Sequence, residues 1–131
     1  MKIAAGVLIK NPLDSNLFLA FRRSKGNPNG GVSLPCGKSE DGEDPAQTAH
    51  RECLEETGWI INLHMLEPFF SQEEGDGFGV WIYSGDLNEE VSKESPKFPE
   101  EGEVVWATAE DLISGPYGEF NRLALKHFGI I

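Results

Sequence analysis

Apolar and polar positions along the chain fall into short blocks, and the blocks alternate between two periods. IAAGVLIK (3–10) and NLFLAFRR (16–23) are dense in aliphatic and aromatic residues and predict strands. The turn cluster NPLDSN (11–16) separates them at hairpin distance. Residues 24–31, SKGNPNGG, predict a loop, and VSLPC (32–36) predicts a short strand stopped by Pro35. Further on, WIINLHMLEPFFS (59–71) reads as extended, QEEGDG (72–77) as a hairpin tip and FGVWIYSGDL (78–87) as a strand. The polar, proline-containing 88–103 predicts a long loop, and VVWAT (104–108) a last strand. AEDLIS (109–114) suits a helical turn. Beyond the breaker GPYG, residues Phe120, Leu123, Ala124 and Phe128 recur at helical spacing.

One segment between these strands carries a complete set of helix signals. Asp44 is placed as an N-cap, Pro45 as the first helical residue, and Gln47 completes a capping-box pattern. Gly58 is placed to end the helix in a left-handed conformation, so the pattern predicts a helix over 45–57. At about 100° per residue, Ala46, Ala49, Cys53 and Thr57 share one face, flanked by His50 and Leu54. Glu52, Glu55 and Glu56 are expected on roughly the opposite side. The order of elements is strands, helix, strands, helix, which predicts an α/β fold around a mixed sheet.

The chain has 131 residues, which suits a single domain over 1–131, and neither a repeat nor a linker divides it. The opening MKIAAGVLIKN reads as a strand rather than a secretory leader, because no A-x-A-like cleavage site follows it. No apolar run approaches the roughly 20 residues of a membrane span. Eleven Lys plus Arg against 22 Asp plus Glu give a formal net charge of −11. That balance argues against binding polymeric nucleic acid, which needs a cationic surface. It leaves room for a small phosphorylated ligand, because a bound cation inverts the local field. Cys36 and Cys53 form neither a C-x-x-C pair nor a zinc pattern, and read as free thiols in a reducing, cytoplasmic setting.

The acidic side of the central helix works against local stability. Glu52–Glu56 and Glu52–Glu55 are like-charge pairs one turn apart, each costing about a few tenths of a kcal/mol. Glu55 and Glu56 also sit toward the negative end of the helix dipole. Three glutamates alone fit a solvated face of an acidic protein as well as a cation site. A hard divalent cation bound through oxygen ligands would explain why they cluster.

The surroundings of the cluster narrow the choice. Residues 37–59 resemble the Nudix box, G-x5-E-x7-R-E-U-x-E-E-x-G-U, in which U is a bulky aliphatic or similar residue. The fixed positions fall on Gly37, Glu43, Arg51, Glu52, Glu55, Glu56 and Gly58 without a gap, with Cys53 and Trp59 at the U positions. The resemblance implies a small MutT-like domain, an α/β/α sandwich with a mixed sheet. It implies hydrolysis of a nucleoside diphosphate linked to another group X, with a nucleoside or deoxynucleoside triphosphate as the default substrate. It further implies Glu52 and Glu56 as ligands of a divalent cation, Glu55 as a third and the Gly37 carbonyl as a fourth. The cation would be Mg²⁺, with Mn²⁺ as the alternative. Glu43 and Arg51 would pair and orient the helix, and Lys38 is a candidate phosphate contact.

Outside the box the signals thin out. Val32 stands where the family often has tryptophan, and Cys36 where it often has glycine. Cys36 reads as a loop spacer rather than a nucleophile, since no partner histidine is evident. In several branches a general base lies on a late loop, where Glu100, Glu101 and Glu103 are available and Glu103 leads. Arg22 or Arg23, at the end of a strand, could hold a phosphate. Phe78, Trp81 and Tyr83 fit core packing better than base stacking, and His50, His64 and His127 lack metal-ligand spacing. The markers of the NADH, ADP-ribose and coenzyme A branches are missing. The competing function is a non-catalytic module that senses a nucleotide or sugar nucleotide with the same fold. Such modules typically lose box glutamates, and this chain keeps them. An isomerase acting on a diphosphate-bearing substrate would need catalytic residues not found here. Oligomeric state is not encoded in any feature of the sequence.

Overall fold

The computed structural model describes residues 2–24, 30–64, 67–72 and 77–131. The centres of the loop expected at 24–31 and of the hairpin tip expected at 72–77 lie outside the described residues, as do 65 and 66 in the expected extended segment. The elements in chain order are β1 (Lys2–Ile9), β2 (Leu17–Arg23), β3 (Cys36–Lys38), α1 (Pro45–Thr57), β4 (Ile61–Leu63), β5 (Phe69–Gln72), β6 (Phe78–Leu87), β7 (Gly102–Thr108), α2 (Ala109–Ser114) and α3 (Gly118–His127). A short 3₁₀ turn over Pro99–Glu101 precedes β7.

A mixed sheet runs β3-β1-β6-β4, with β5 also on β6. β1 is parallel to β6, with Lys2 opposite Phe78 and Ile9 opposite Gly85. Its other edge pairs antiparallel with β3, setting Ala5 opposite Gly37 and Gly6 opposite Cys36. A second sheet joins β2 and β7 antiparallel, with Arg22 opposite Glu103 and Arg23 opposite Gly102.

Two expectations change. Among the described residues β1 and β2 are bridged in backbone pairing only at Lys10–Phe18 and then diverge, since β3 and β6 already occupy both edges of β1. Regular pairing expected over 32–36 begins at Cys36 instead, with Ser33 making an isolated bridge to Phe21. Pro35 explains the delay: it has no N–H to donate, and its carbonyl accepts from Val7 N at 3.0 Å.

Alternation along β1 divides the interior into two cores. Ala5, Val7 and Ile9 pack with Ala49 and Cys53 of α1 and with Leu19, Ile61 and Tyr83. Leu8 faces the other way and packs with Ile82, with Leu112 of α2, and with Ala124 and Leu125 of α3. Helices thus cover both faces of the mixed sheet, the α/β/α sandwich expected. α1 buries Ala49, Cys53 and Thr57 on the face the helical spacing marks out, whereas Ala46 is only half-buried and Thr48, which lies off that face, is buried with its hydroxyl donating to Glu43. In α3 the buried residues are Gly118, Asn121, Ala124 and Leu125, whereas Leu123 is exposed. No helix among the described residues is long and apolar enough to cross a membrane.

Candidate active site

The site is built where the N-terminal half of the molecule brings β3 against α1. The helix starts on a reciprocal capping box: Asp44 Oδ1 accepts from Gln47 N, and Gln47 Oε1 accepts from Asp44 N, both at 2.9 Å. It stops at Gly58, whose φ of 80° is left-handed and whose N–H donates to Leu54 O at 2.8 Å. A Cβ at Gly58 would also lie 1.9 Å from the carbonyl oxygen of Glu94, so the position has no room for a side chain.

Arg51 ties the preceding loop to the helix. Its Nε donates to Glu43 Oε2 at 2.7 Å and its NH2 to Glu43 Oε1 at 3.0 Å, a two-pronged contact. The same guanidinium donates to the Lys38 carbonyl at 2.8 Å, to Glu52 Oε1 at 2.9 Å and to Glu55 Oε2 at 3.2 Å. Glu43 also accepts from Glu40 N and from the Thr48 hydroxyl. The Arg51 hydrogen bonds, helped by these two, hold the Glu43 carboxyl down at about 2. Glu43 in turn raises the Arg51 pKa further above its already high value.

Glu52 lies beneath Gly37. A Cβ built on Gly37 would run into the Glu52 carboxyl group, so a larger residue there would have to displace that carboxyl from beneath the strand. One residue earlier, Cys36 N donates to Glu56 Oε1 at 2.9 Å. Burial nevertheless pushes Glu56 up to about 8; the Cys36 N–H and the charge of Arg23 oppose that shift, while Glu52 and Glu101 add to it. Burial raises Glu52 as well, with Arg51 opposing and Glu55 and Glu43 adding to the shift.

These carboxylates therefore have less positive charge around them than their ionised forms require. A hard cation supplies that charge, and clustered carboxylates are the oxygen donor set such an ion takes. By this test the residues fit a divalent cation. Among the described residues the carboxylates are not already drawn into a ready ligand set. Glu52 and Glu55 lean on Arg51, and Glu56 on the Cys36 N–H.

The strand-end arginines part company. Arg22 donates to Glu103 Oε1 at 2.9 Å and to the Gly30 carbonyl at 2.9 Å, and both members of the Arg22–Glu103 pair are exposed. Arg23 is the arginine whose charge acts on Glu56. Of the late-loop glutamates, Glu101 adds to the upward shift of Glu56. Lys38 projects from the other side of its strand, with its ammonium 5.3 Å from the Phe78 ring centre.

Cys36 lies in a strand rather than a loop. Burial pushes its thiol up to about 12, which leaves it protonated and unreactive at neutral pH. Its side chain helps to wall a cavity of about 290 Å³ with Arg23, Leu34, Val80, Phe120 and Asn121. A larger, open groove of about 800 Å³ between α1 and β4 presents no carboxylate and is lined chiefly by apolar side chains such as Leu54, Ile60 and Leu63. The smaller cavity borders Cys36 and Arg23, both next to Glu56.

A family model described as NUDIX domain matches residues 1–128. The chain belongs to the NUDIX family. Among solved structures, an Ap4A hydrolase of C. elegans in a binary complex is 27% identical, with a TM-score of 0.73, 98% of this chain covered and 96% of that one. A MutT NUDIX hydrolase from Burkholderia pseudomallei shares the fold with a TM-score of 0.71, at 21% identity and 96% coverage of each chain. A Caenorhabditis elegans protein bearing the name of a nudix hydrolase is 31% identical over 98 residues, 71% of this chain. The chain spans 26% of that relative's length.

Sequence reasoning passed over two features of this NUDIX site. The Cys36 N–H is a backbone donor, invisible in residue identities. Asn121 had a signal: it interrupts the apolar face of α3. It is buried, and its Nδ2 donates to the Leu112 carbonyl at 2.8 Å.

Proposed function

We propose that this NUDIX domain hydrolyses a nucleoside diphosphate linked to a group X, with Mg²⁺ as its cation and Mn²⁺ able to replace it. The observation that carries the reading is the placement of Glu52 and Glu56 under the backbone of Gly37 and Cys36, beside a cavity walled by Arg23. Glu52, Glu55, Glu56 and the Gly37 carbonyl would hold the cation. When bound, that ion neutralises phosphate oxygens and lowers the pKa of water.

The chain's own residues do the rest. Arg51 holds the loop before α1 against the helix and fixes the carboxyl groups of Glu52 and Glu55. Arg23 binds a phosphate oxygen at the mouth of the cavity, whose apolar wall of Leu34, Val80 and Phe120 excludes water from the nucleoside side. Water oxygen attacks phosphorus and the bridging P–O bond breaks; a glutamate of the cluster accepts the proton, and the leaving phosphate departs with the bond electrons. Lys38 and Arg22 stay on the rim of this arrangement. Glu103 joins it only by leaving Arg22.

A nucleoside or deoxynucleoside triphosphate is the default substrate. The likeness to the C. elegans Ap4A hydrolase supports dinucleoside polyphosphates as a second substrate class. The test is a panel of nucleoside triphosphates, dinucleoside polyphosphates, NADH, ADP-ribose and nucleotide sugars with Mg²⁺, scored for phosphate, pyrophosphate and monophosphate. Turnover that falls at least about a hundredfold in Glu52→Gln and in Glu56→Gln, with the fold retained, supports the reading. Absence of turnover across the panel, with nucleotide binding retained, would establish a sensing module instead.

A further inference from the structure

The C-terminal end of α1 needs positive charge that its own sequence does not provide. The last turn holds Glu55 and Glu56 and carries no basic residue, although the final carbonyls make this the negative end of the helix. The compensation comes from the chain between β6 and β7. Glu94 N donates to the Gly58 carbonyl and Lys97 N to the Glu55 carbonyl, both at 2.8 Å. These bonds close carbonyls that the helix leaves open, and the lack of a side chain on Gly58 lets Glu94 approach. They also bring the Lys97 ammonium to 3.5 Å from Glu55 Oε1, while Arg51 holds the opposite oxygen, Oε2, at 3.2 Å. Glu55 is thus gripped on both oxygens. One grip comes from its own helix and the other from a residue 42 positions away.

The two cations differ in how firmly they are held. The Arg51 side chain is 21% exposed and makes further bonds to Glu43, Glu52 and Lys38. The Lys97 ammonium is the outer partner, on a side chain 62% exposed, and can swing into solvent without leaving a buried group unpaired. Its backbone bond to Glu55 does not depend on where the ammonium points.

We propose that Lys97 is a positioning residue that competes with the divalent cation for Glu55: its ammonium occupies the outer oxygen until the ion takes that oxygen over. The loop between β6 and β7 thereby sets the cation concentration at which the site fills. The inference rests on the reading of the glutamate cluster as a cation site, and the experiment separates the two.

Mn²⁺ binding to metal-depleted protein would be followed by the electron paramagnetic resonance of free Mn²⁺, at fixed ionic strength, for wild type, Lys97→Met and Lys97→Arg. Met keeps the length of the stem and the backbone bond but removes the charge. Loss of one positive charge beside a doubly charged ion should tighten Mn²⁺ binding about three- to tenfold in Lys97→Met. Lys97→Arg, which retains the charge, should bind close to wild type. The melting temperature of each metal-free variant is measured alongside. A merely structural role for Lys97 would move the melting temperature and leave the Mn²⁺ affinity where it is. Unchanged or weaker Mn²⁺ binding by a folded Lys97→Met overturns the proposal. No Mn²⁺ binding by wild type overturns the cation site itself, and this inference with it.

Discussion

Cys36 and Glu56 are joined by a single hydrogen bond, 2.9 Å from the strand amide to the helix carboxylate. It connects the edge of the mixed sheet to the acidic face of α1, and it places the side chain of Cys36 in the cavity and its amide on the glutamate cluster. The bond does not offset the burial of Glu56, whose carboxyl stays near 8.

That raised value sets a pH dependence for the metal-free protein. A carboxyl raised in the folded state binds its proton more tightly there than in the unfolded chain. Stability from this group is full below the unfolded value near 4.5 and is lost as pH rises toward about 8. Urea unfolding in a chelator should show stability falling across that window, with a shallower fall in Glu56→Gln. A slope unchanged by the substitution would contradict the burial argument.

Glu43 works in the opposite direction. Its carboxyl is held down at about 2 by Arg51, so its contribution is present above about 4.5 and is lost as pH falls toward 2. Acid unfolding of Glu43→Gln should show a smaller pH dependence in that range than wild type.

Arg51→Lys keeps the charge and loses the fork. A single ammonium does not reproduce the two bonds to Glu43 together with those to Lys38, Glu52 and Glu55. We expect a loss of about 2 kcal/mol in unfolding free energy and a fall in kcat larger than any change in KM. Denaturant titration and steady-state kinetics on the same preparation check both.

Gly37→Ala tests the close approach of β3 to the helix. The new methyl meets the Glu52 carboxyl group, and either the side chain or the strand must move. Mn²⁺ affinity and turnover should both drop by more than about tenfold, while circular dichroism stays that of a folded domain. Wild-type affinity in this variant would show that the approach is incidental.

The neighbouring arginines should behave differently on substitution. Arg23→Ala should raise KM by about tenfold or more, because this is the charge that acts on Glu56 and borders the cavity. Arg22→Ala removes an exposed ion pair with Glu103 and should change KM and stability little. Equal losses in the two variants would remove the distinction.

The helix bounds of 45–57, most of its buried face and the strand over 78–87 were legible in the sequence, because each depends on local rules of capping residues and side-chain period. The Glu43–Arg51 pair was implied by the resemblance to the Nudix box. The divergence of β1 from β2 was not legible, because it depends on which strands claim the edges of β1. Nor was the exposure of Leu123, since periodicity marks an apolar stripe but not where the neighbouring helix meets it.

The same division runs through the site. By itself the sequence determined the family motif, the helix and the identity of the acidic residues. Tertiary structure alone decided that Arg23 bears on Glu56, that Glu101 does so from the late loop, that Arg22 pairs with Glu103, and that Lys97 reaches Glu55. The reason is physical: a carboxylate's burial, and the charges that reach it, are set by groups folded in from distant parts of the chain, and those distances are fixed only when strands and helix pack.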